Sequence, residues 1–255
     1  MRKLYVIGMG AGDPEHLTMQ AVAALQRVDV FFALDKGSVK SDLLALRKQI
    51  CARYIPEHSH RFVEIADPVR DAAIGAYQAR VEAWHGERVR LLEAQIASEL
   101  GDDQVGGLLV WGDPSLYDST LRILDQLIER GALAFEYEVI PGISSVQALA
   151  AAHRIPLHRI GGSLLITTGR RLAEDAAAHH DVVVMLDGEL AFRRVDPDAF
   201  DIYWGAYLGT PRELLRRGRL RDVADEIEAV RAAARAEHGW ILDIYYLRRV
   251  ALALR

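Results

Sequence analysis

Short apolar runs alternate with helical patterns along the first 140 residues, and that alternation limits the possible folds more than any single motif. Residues 2–7 (RKLYVI), 28–34 (VDVFFAL), 61–65 (RFVEI), 108–111 (LLVW) and 135–140 (FEYEVI) all have strand length. Between them apolar residues recur at helical spacing: Ala21, Val22, Ala24 and Leu25, then Leu43, Leu44, Leu46 and Ile50. A long helical pattern runs from about Asp71 to Leu100, stopped by Gly101, and another through Leu121, Ile123, Leu124 and Ile128, stopped by Gly131. Parallel strands need crossovers of this length, so the chain reads as an α/β fold with a mostly parallel sheet.

In such sheets ligands sit outside the carboxyl ends of strands. Three loops leave strand ends, Gly8 to Pro14, Asp35 to Gly37 and Gly112 to Tyr117, and they are expected to converge on one cleft. The first, Gly8-Met9-Gly10-Ala11-Gly12-Asp13-Pro14, lies between a strand and a helical pattern opened by His16-Leu17-Thr18. A dinucleotide loop wants a third glycine where Asp13 stands, and an acid there repels a pyrophosphate at a helix N-terminus. The turn is a ligand loop, but no diphosphate cradle.

Pro141-Gly142-Ile143-Ser144-Ser145 reads as a hinge, dividing the chain into domains 1–140 and 141–255. Beyond it residues 164–168, 182–186 and 202–207 are strand-like, Asp222 to His238 is helical, and 240–247 is a final strand, expected antiparallel. Composition bounds the rest. With 51% apolar and 26% charged residues this is an ordinary globular protein, and a net charge of -5 does not invite nucleic acid. The single cysteine, Cys51, excludes an internal disulfide, and no apolar run is long enough to span a bilayer, so a cytoplasmic location is expected. Lysine occurs only at Lys3, Lys36, Lys40 and Lys48. The arginine excess reads either as genome composition or as side chains that clamp carboxylates bidentately.

The segments VIGMGAGDPEHLT, WGDPSLYD, PGISSVQALAAAHRIPL and TTGR occur in this order. Together they resemble the tetrapyrrole (precorrin) methyltransferases, and YWGAYLGTPRELLRRG agrees with that family's last adenosyl-contacting segment. Within the family, ALDKG, IADPVRD and YWGAYLGTP are similar to the members that methylate precorrin-5 at C-1 and expel an acetyl group as acetate in cobalamin biosynthesis. The resemblance implies two α/β/α domains with a cofactor cleft between them, S-adenosylmethionine as methyl donor, a precorrin substrate and a homodimer. It implies an adenosyl pocket of Gly112, Asp113, Leu116, Ser144, Ser145, Leu186 and Ala206. One departure is Gly10-Ala11-Gly12, where the family has glycine-proline-glycine.

The residue chemistry agrees. A sulfonium donor is cationic and carries no phosphate, so its site wants carbonyls, small residues and an acid. Asp113 is placed to supply the acid, or else to cap the turn before Pro114. Deacetylation needs a base for water and a donor at the carbonyl oxygen. Asp35 with Lys36 is the first choice for catalysis, against a solvated turn pair; His58, His60, Glu64 and Asp67 are the other candidates. Gly10, Gly12 and Asp13 are expected to form a wall against the tetrapyrrole. Arg61, Arg70 and Arg170, with Arg53 and Arg171, are expected to hold its carboxylates. Nothing suggests a metal. The alternatives are a methylase of the same family acting elsewhere on a metal-free or cobalt-loaded ring, a nucleotide-dependent oxidoreductase, and a non-catalytic tetrapyrrole binder.

Overall fold

A computed structural model describes residues 1–35, 41–55, 60–69 and 77–250. The chain divides into two compact units, Met1–Gly10 with Pro14–Ser144 and Ala11–Asp13 with Ser145–Arg255.

The first unit runs β1 (Arg2–Gly8), α1 (Met19–Leu25), β2 (Val30–Asp35), α2 (Ser41–Tyr54), β3 (Arg61–Ala66), α3 (Tyr77–Glu99), β4 (Val105–Val110), α4 (Thr120–Arg130) and β5 (Phe135–Ile140). All five strands are parallel, in the order β3-β2-β4-β1-β5. Alternate side chains serve opposite faces, as the period of two requires. Leu4, Val6, Val30 and Phe32 join α3 and α4 in one core, while Tyr5, Ile7 and Phe31 join α1 and α2 in the other. Helices therefore cover both faces, and strands buried on both sides read as the continuous apolar runs seen in the sequence.

Helix ends follow local chemistry. The Thr18 hydroxyl accepts the Ala21 N–H at 3.0 Å, so α1 begins after it, and the expected opening at His16 is instead a short 3-10 turn, Pro14–His16. Gly131 ends α4 in the left-handed conformation (φ 64°).

The second unit runs α5 (Ser145–His153), β6 (Leu165–Thr168), α6 (Leu172–Ala178), β7 (Asp181–Met185), β8 (Phe200–Ala206), β9 (Leu214–Arg219), α7 (Leu220–His238) and β10 (Asp243–Arg249). Its sheet, ordered β6-β7-β10-β8-β9, is mixed: β6 and β7 are parallel, and β10 lies antiparallel between β7 and β8. The mostly parallel expectation thus holds for the first sheet only, because β8, β9 and β10 pair antiparallel to their neighbours. Phe200, Ile202, Trp204, Tyr245 and Leu247 bury one face against α6 and α7, and α5 packs on β8 and β10. Two elements went unanticipated, β9 and α6, since LLRRGR is short and rich in arginine and LAEDAAA is only seven residues long. Among the described residues no helix is long and apolar enough to cross a membrane.

Candidate functional site

In the first unit β1 and β4 are neighbours, so their carboxyl ends lie side by side. The two loops meet directly. Met9 N–H donates to the Val110 carbonyl at 2.8 Å, and Gly10 and Gly112 exchange backbone hydrogen bonds of 3.3 and 2.9 Å. The turn after β5 closes on the same place. A Cβ on Gly8 would lie 2.6 Å from the Gly142 nitrogen and 2.9 Å from the Gly112 oxygen, so three backbones pack here with no room for a side chain.

Asp113 ties this junction together. Its Oδ2 accepts the Gly142 N–H at 2.9 Å, and its Oδ1 accepts the Ser115 N–H at 2.8 Å and the Ser115 hydroxyl. Burial pushes its carboxyl up, but the bonds from the Ser115 hydroxyl and from the Gly142 and Ser115 backbone outweigh burial and hold it below the ordinary carboxylate range. The group is therefore ionised at neutral pH, and it caps its own turn. Leu116, half-buried, donates its N–H to the Asp113 carbonyl at 3.2 Å, and buried Ser144 stands 3.6 Å, at its Cα, from where a Gly112 Cβ would be. Ser145 begins α5.

The opening-loop glycines have their explanation inside the protein. Gly10 sits at φ 78°, and a Cβ there would come 2.5 Å from the His16 Cβ; Gly12, at φ 151°, would meet the Leu208 carbonyl at 2.5 Å. Both positions demand glycine for internal packing, whatever ligand lies beyond them. Asp13 beside them is half-buried. Beyond the loop, Tyr54 of α2 donates its hydroxyl to the Pro14 carbonyl at 3.1 Å, and Arg53 pairs with Glu15 at 3.0 Å.

In the second unit β6 and β7 end together, and Gly169 packs on the Asp187 carboxylate, leaving no space for a Cβ. Asp187 accepts from the Glu189 N–H (2.9 Å), the Ala191 N–H (2.6 Å) and the Tyr245 hydroxyl (2.7 Å). Burial, then the Asp187 charge, pushes the Tyr245 hydroxyl well above its ordinary value, so it remains a donor. Arg231 braces the turn by donating to the Asp187 carbonyl and the Asp243 carboxylate, both at 2.8 Å. The network holds Leu186 at φ 54°, a conformation unfavourable to a branched side chain, with 61% of it exposed. Leu186 therefore stands outside the second core. Ala206, by contrast, is fully buried in the second core.

Other expected residues are elsewhere. Asp35 ends β2 beside β4, and its side chain, Lys36, His58 and Arg70 lie outside the described residues. Arg61 opens β3, at the amino end of the sheet, and bonds the Glu99 carboxylate and carbonyl, which places it away from the loops. Glu64 pairs with Lys48, and His60 packs edge-on to Phe31 and Phe62. Arg170 is exposed in the turn after β6, next to Arg171, which pairs with Asp175 at 3.5 Å. Asp67 is bidentate to buried Arg88, at 2.6 and 2.5 Å. Sequence reasoning missed Arg88 and Arg47. Each falls in phase with an apolar stripe, Arg88 with Leu92 and Ile96, Arg47 with Leu44 and Cys51, and an arginine at such a position is the signal that could have found them.

Two α/β units, with glycine-lined strand ends and a capped carboxylate in the first, are the frame on which the class is read. Residues 3–224 match the family model of Tetrapyrrole (Corrin/Porphyrin) Methylases, and the chain belongs to that family. It is 51% identical over 252 residues to the precorrin-6A synthase [deacetylating] of a Sinorhizobium species, covering 98% of this chain and 97% of that one. The crystal structure of a cobalamin-synthesis-related protein (CobF) of Corynebacterium diphtheriae superposes with a TM-score of 0.85 at 42% identity, covering 97% and 98% of the two chains. A Thermus thermophilus uroporphyrin-III C-methyltransferase, solved with S-adenosyl homocysteine, shares the fold (TM-score 0.60, 21% identity, 96% and 97% covered).

Proposed function

We propose that this chain is a deacetylating precorrin-6A synthase of cobalamin biosynthesis, which methylates precorrin-5 at C-1 and releases acetate. The observation that carries the reading is its 51% identity, across nearly the whole of both chains, to the Sinorhizobium enzyme of that name. The proposed methyl donor is S-adenosylmethionine, in line with the S-adenosyl homocysteine bound in the Thermus relative. The chemistry fits such a molecule, since an ionised Asp113 suits an ammonium or a sulfonium. When bound, the donor supplies an electrophilic methyl group.

On the first unit the proposed cofactor contacts are Gly112, Asp113, Leu116, Ser144 and Ser145; on the second they are Leu186 and Ala206. The chain's own part in methyl transfer is to orient, exclude water and hold the reactants close, effects worth about 7–11 kcal/mol in favourable cases. Rigid backbone packing at Gly8, Gly112 and Gly142 suits that task. Asp35 and Lys36 are proposed for the deacetylating step, one taking the proton of the attacking water and the other facing the carbonyl oxygen. Gly10, Gly12, Asp13, Arg70 and Arg170 are proposed on the tetrapyrrole side; Arg61 is not, given its Glu99 partner. A cytoplasmic homodimer completes the proposal.

The test is substrate choice. Purified protein with S-adenosylmethionine is offered precorrin-5, earlier precorrins and cobalt-precorrins, and products are read by mass. Selective turnover of metal-free precorrin-5 is expected; preference for a cobalt-loaded ring, or for another intermediate, overturns the assignment.

A further inference from the structure

A second crevice opens in the first sheet, between the carboxyl ends of β2 and β4. The chain leaves β2 for α2, on the face of Tyr5 and Phe31, and leaves β4 for α4, on the face of Leu4 and Phe32. Adjacent parallel strands whose connections depart to opposite faces leave a gap at their carboxyl ends, the usual ligand position in such sheets. Here the gap is a cavity of about 70 Å³, lined by apolar side chains such as Phe32 and Leu108 and by Arg47, Arg88, Asp118 and Ser119.

The two arginines differ. Arg88 is fully engaged: Asp67 takes its Nε and Nη2, the Ser119 hydroxyl accepts from Nη1 at 3.2 Å, and the guanidinium lies 3.5 Å from the Trp84 ring centre. Arg47 is not. Its Nε is buried with no hydrogen-bond partner among the described residues. Burial pushes it below its ordinary value, and the charge of Asp118 pulls the other way. Asp118 meanwhile spends Oδ1 on the Thr120 N–H at 2.7 Å and makes no ion pair with Arg47 among the described residues. A buried guanidinium N–H without an acceptor is costly, and a guanidinium is held more strongly by an anion than by water.

The cavity's size limits what that anion is. A water needs about 10–15 Å³ of such volume, so the space holds several waters or one two-carbon carboxylate, and no macrocycle. Apolar side chains beside the Arg47 guanidinium match a methyl group joined to a carboxylate, with Asp118 set against an anion and already spending Oδ1 on the Thr120 N–H. We propose that this crevice is a binding site for a two-carbon carboxylate, with Arg47 as the residue that holds its oxygens. The natural source rests on the function proposed above: either the acetate expelled from the substrate or an acetate arm of the ring.

The experiment uses the whole protein with S-adenosylhomocysteine and sodium acetate as probe, without turnover. The Arg47 Nε–H resonance, assigned by its loss in Arg47→Lys, is expected to shift on titration, with an affinity on the order of millimolar as befits four heavy atoms. Arg47→Met should weaken acetate about tenfold or more, and Arg47→Lys less, with S-adenosylhomocysteine affinity unchanged in both. No shift of that resonance in the wild type, or equal acetate binding by all three proteins, overturns the proposal. Steady-state kinetics separate the sources: acetate competitive with the tetrapyrrole marks the ring's arm, and acetate inhibiting without competing marks the expelled product. Because binding is read without catalysis, a failed substrate assignment leaves it standing, and its failure leaves the assignment standing.

Discussion

The Asp113 carboxylate accepts the Gly142 N–H at 2.9 Å, fastening the loop after β4 to the turn after β5 across β1, which lies between them. Asp113→Asn keeps the shape but loses the charge on bonds to Ser115 and Gly142, and should cost about 1–2 kcal/mol. Because the folded carboxyl titrates below its unfolded value, this contribution is present above about pH 4 and fades as pH falls through the folded value. Urea melts of wild type and variant should therefore differ at pH 7 and converge towards pH 3. A constant difference would assign the loss to packing.

Gly142 and Gly188 make a matched pair. A Cβ on Gly142 would sit 2.8 Å from the Gly8 Cα and closer still to the Gly112 carbonyl, all backbone that has nowhere to go, whereas a Cβ on Gly188 meets nothing within 4 Å. Gly142→Ala should lose about 1–3 kcal/mol or more from overpacking, with methyl transfer impaired, and Gly188→Ala should be near neutral. Thermal melts with activity assays on the two variants check this.

Arg88 and Asp67 form a buried pair, their side chains 5% and 8% exposed. Arg88→Met or Asp67→Leu alone leaves an unpaired buried charge and should cost about 3–5 kcal/mol, while the double variant should cost less than either. A double variant as unstable as the sum would mean the two act independently.

Cys51 lies buried in the first core, where burial pushes its thiol up to about 12. At pH 8 only about one molecule in ten thousand carries the thiolate. Labelling by an aromatic disulfide reagent should follow global unfolding, not reagent concentration. Rapid stoichiometric labelling of the native protein would contradict this placement.

How much could be read beforehand depended on how local the cause was. The central strands β1, β2 and β4 were legible because burial on both faces leaves an apolar run, whereas the edge strands β3 and β5 showed only strand length and partial alternation. The Gly8 and Gly112 loops were legible as neighbours from strand-end reasoning. The packing of Gly10 and Gly12 was not legible, since nothing local announces His16 or the Leu208 carbonyl as their neighbours. Arg61 was misplaced because a strand's two ends look alike until the sheet is ordered, and its Glu99 partner is 38 residues away. Arg47 and Arg88 hid inside helices whose apolar stripes they interrupt.

The central claim is methyl transfer coupled to loss of the acetyl group, and acetate counting tests it most directly. Precorrin-5 and S-adenosylmethionine labelled in its methyl group are incubated with the enzyme, and acetate and transferred label are measured in the same samples over time. One acetate for each methyl group at every time point is the predicted result. A methylated product that retains its acetyl group, with no acetate released, would contradict it.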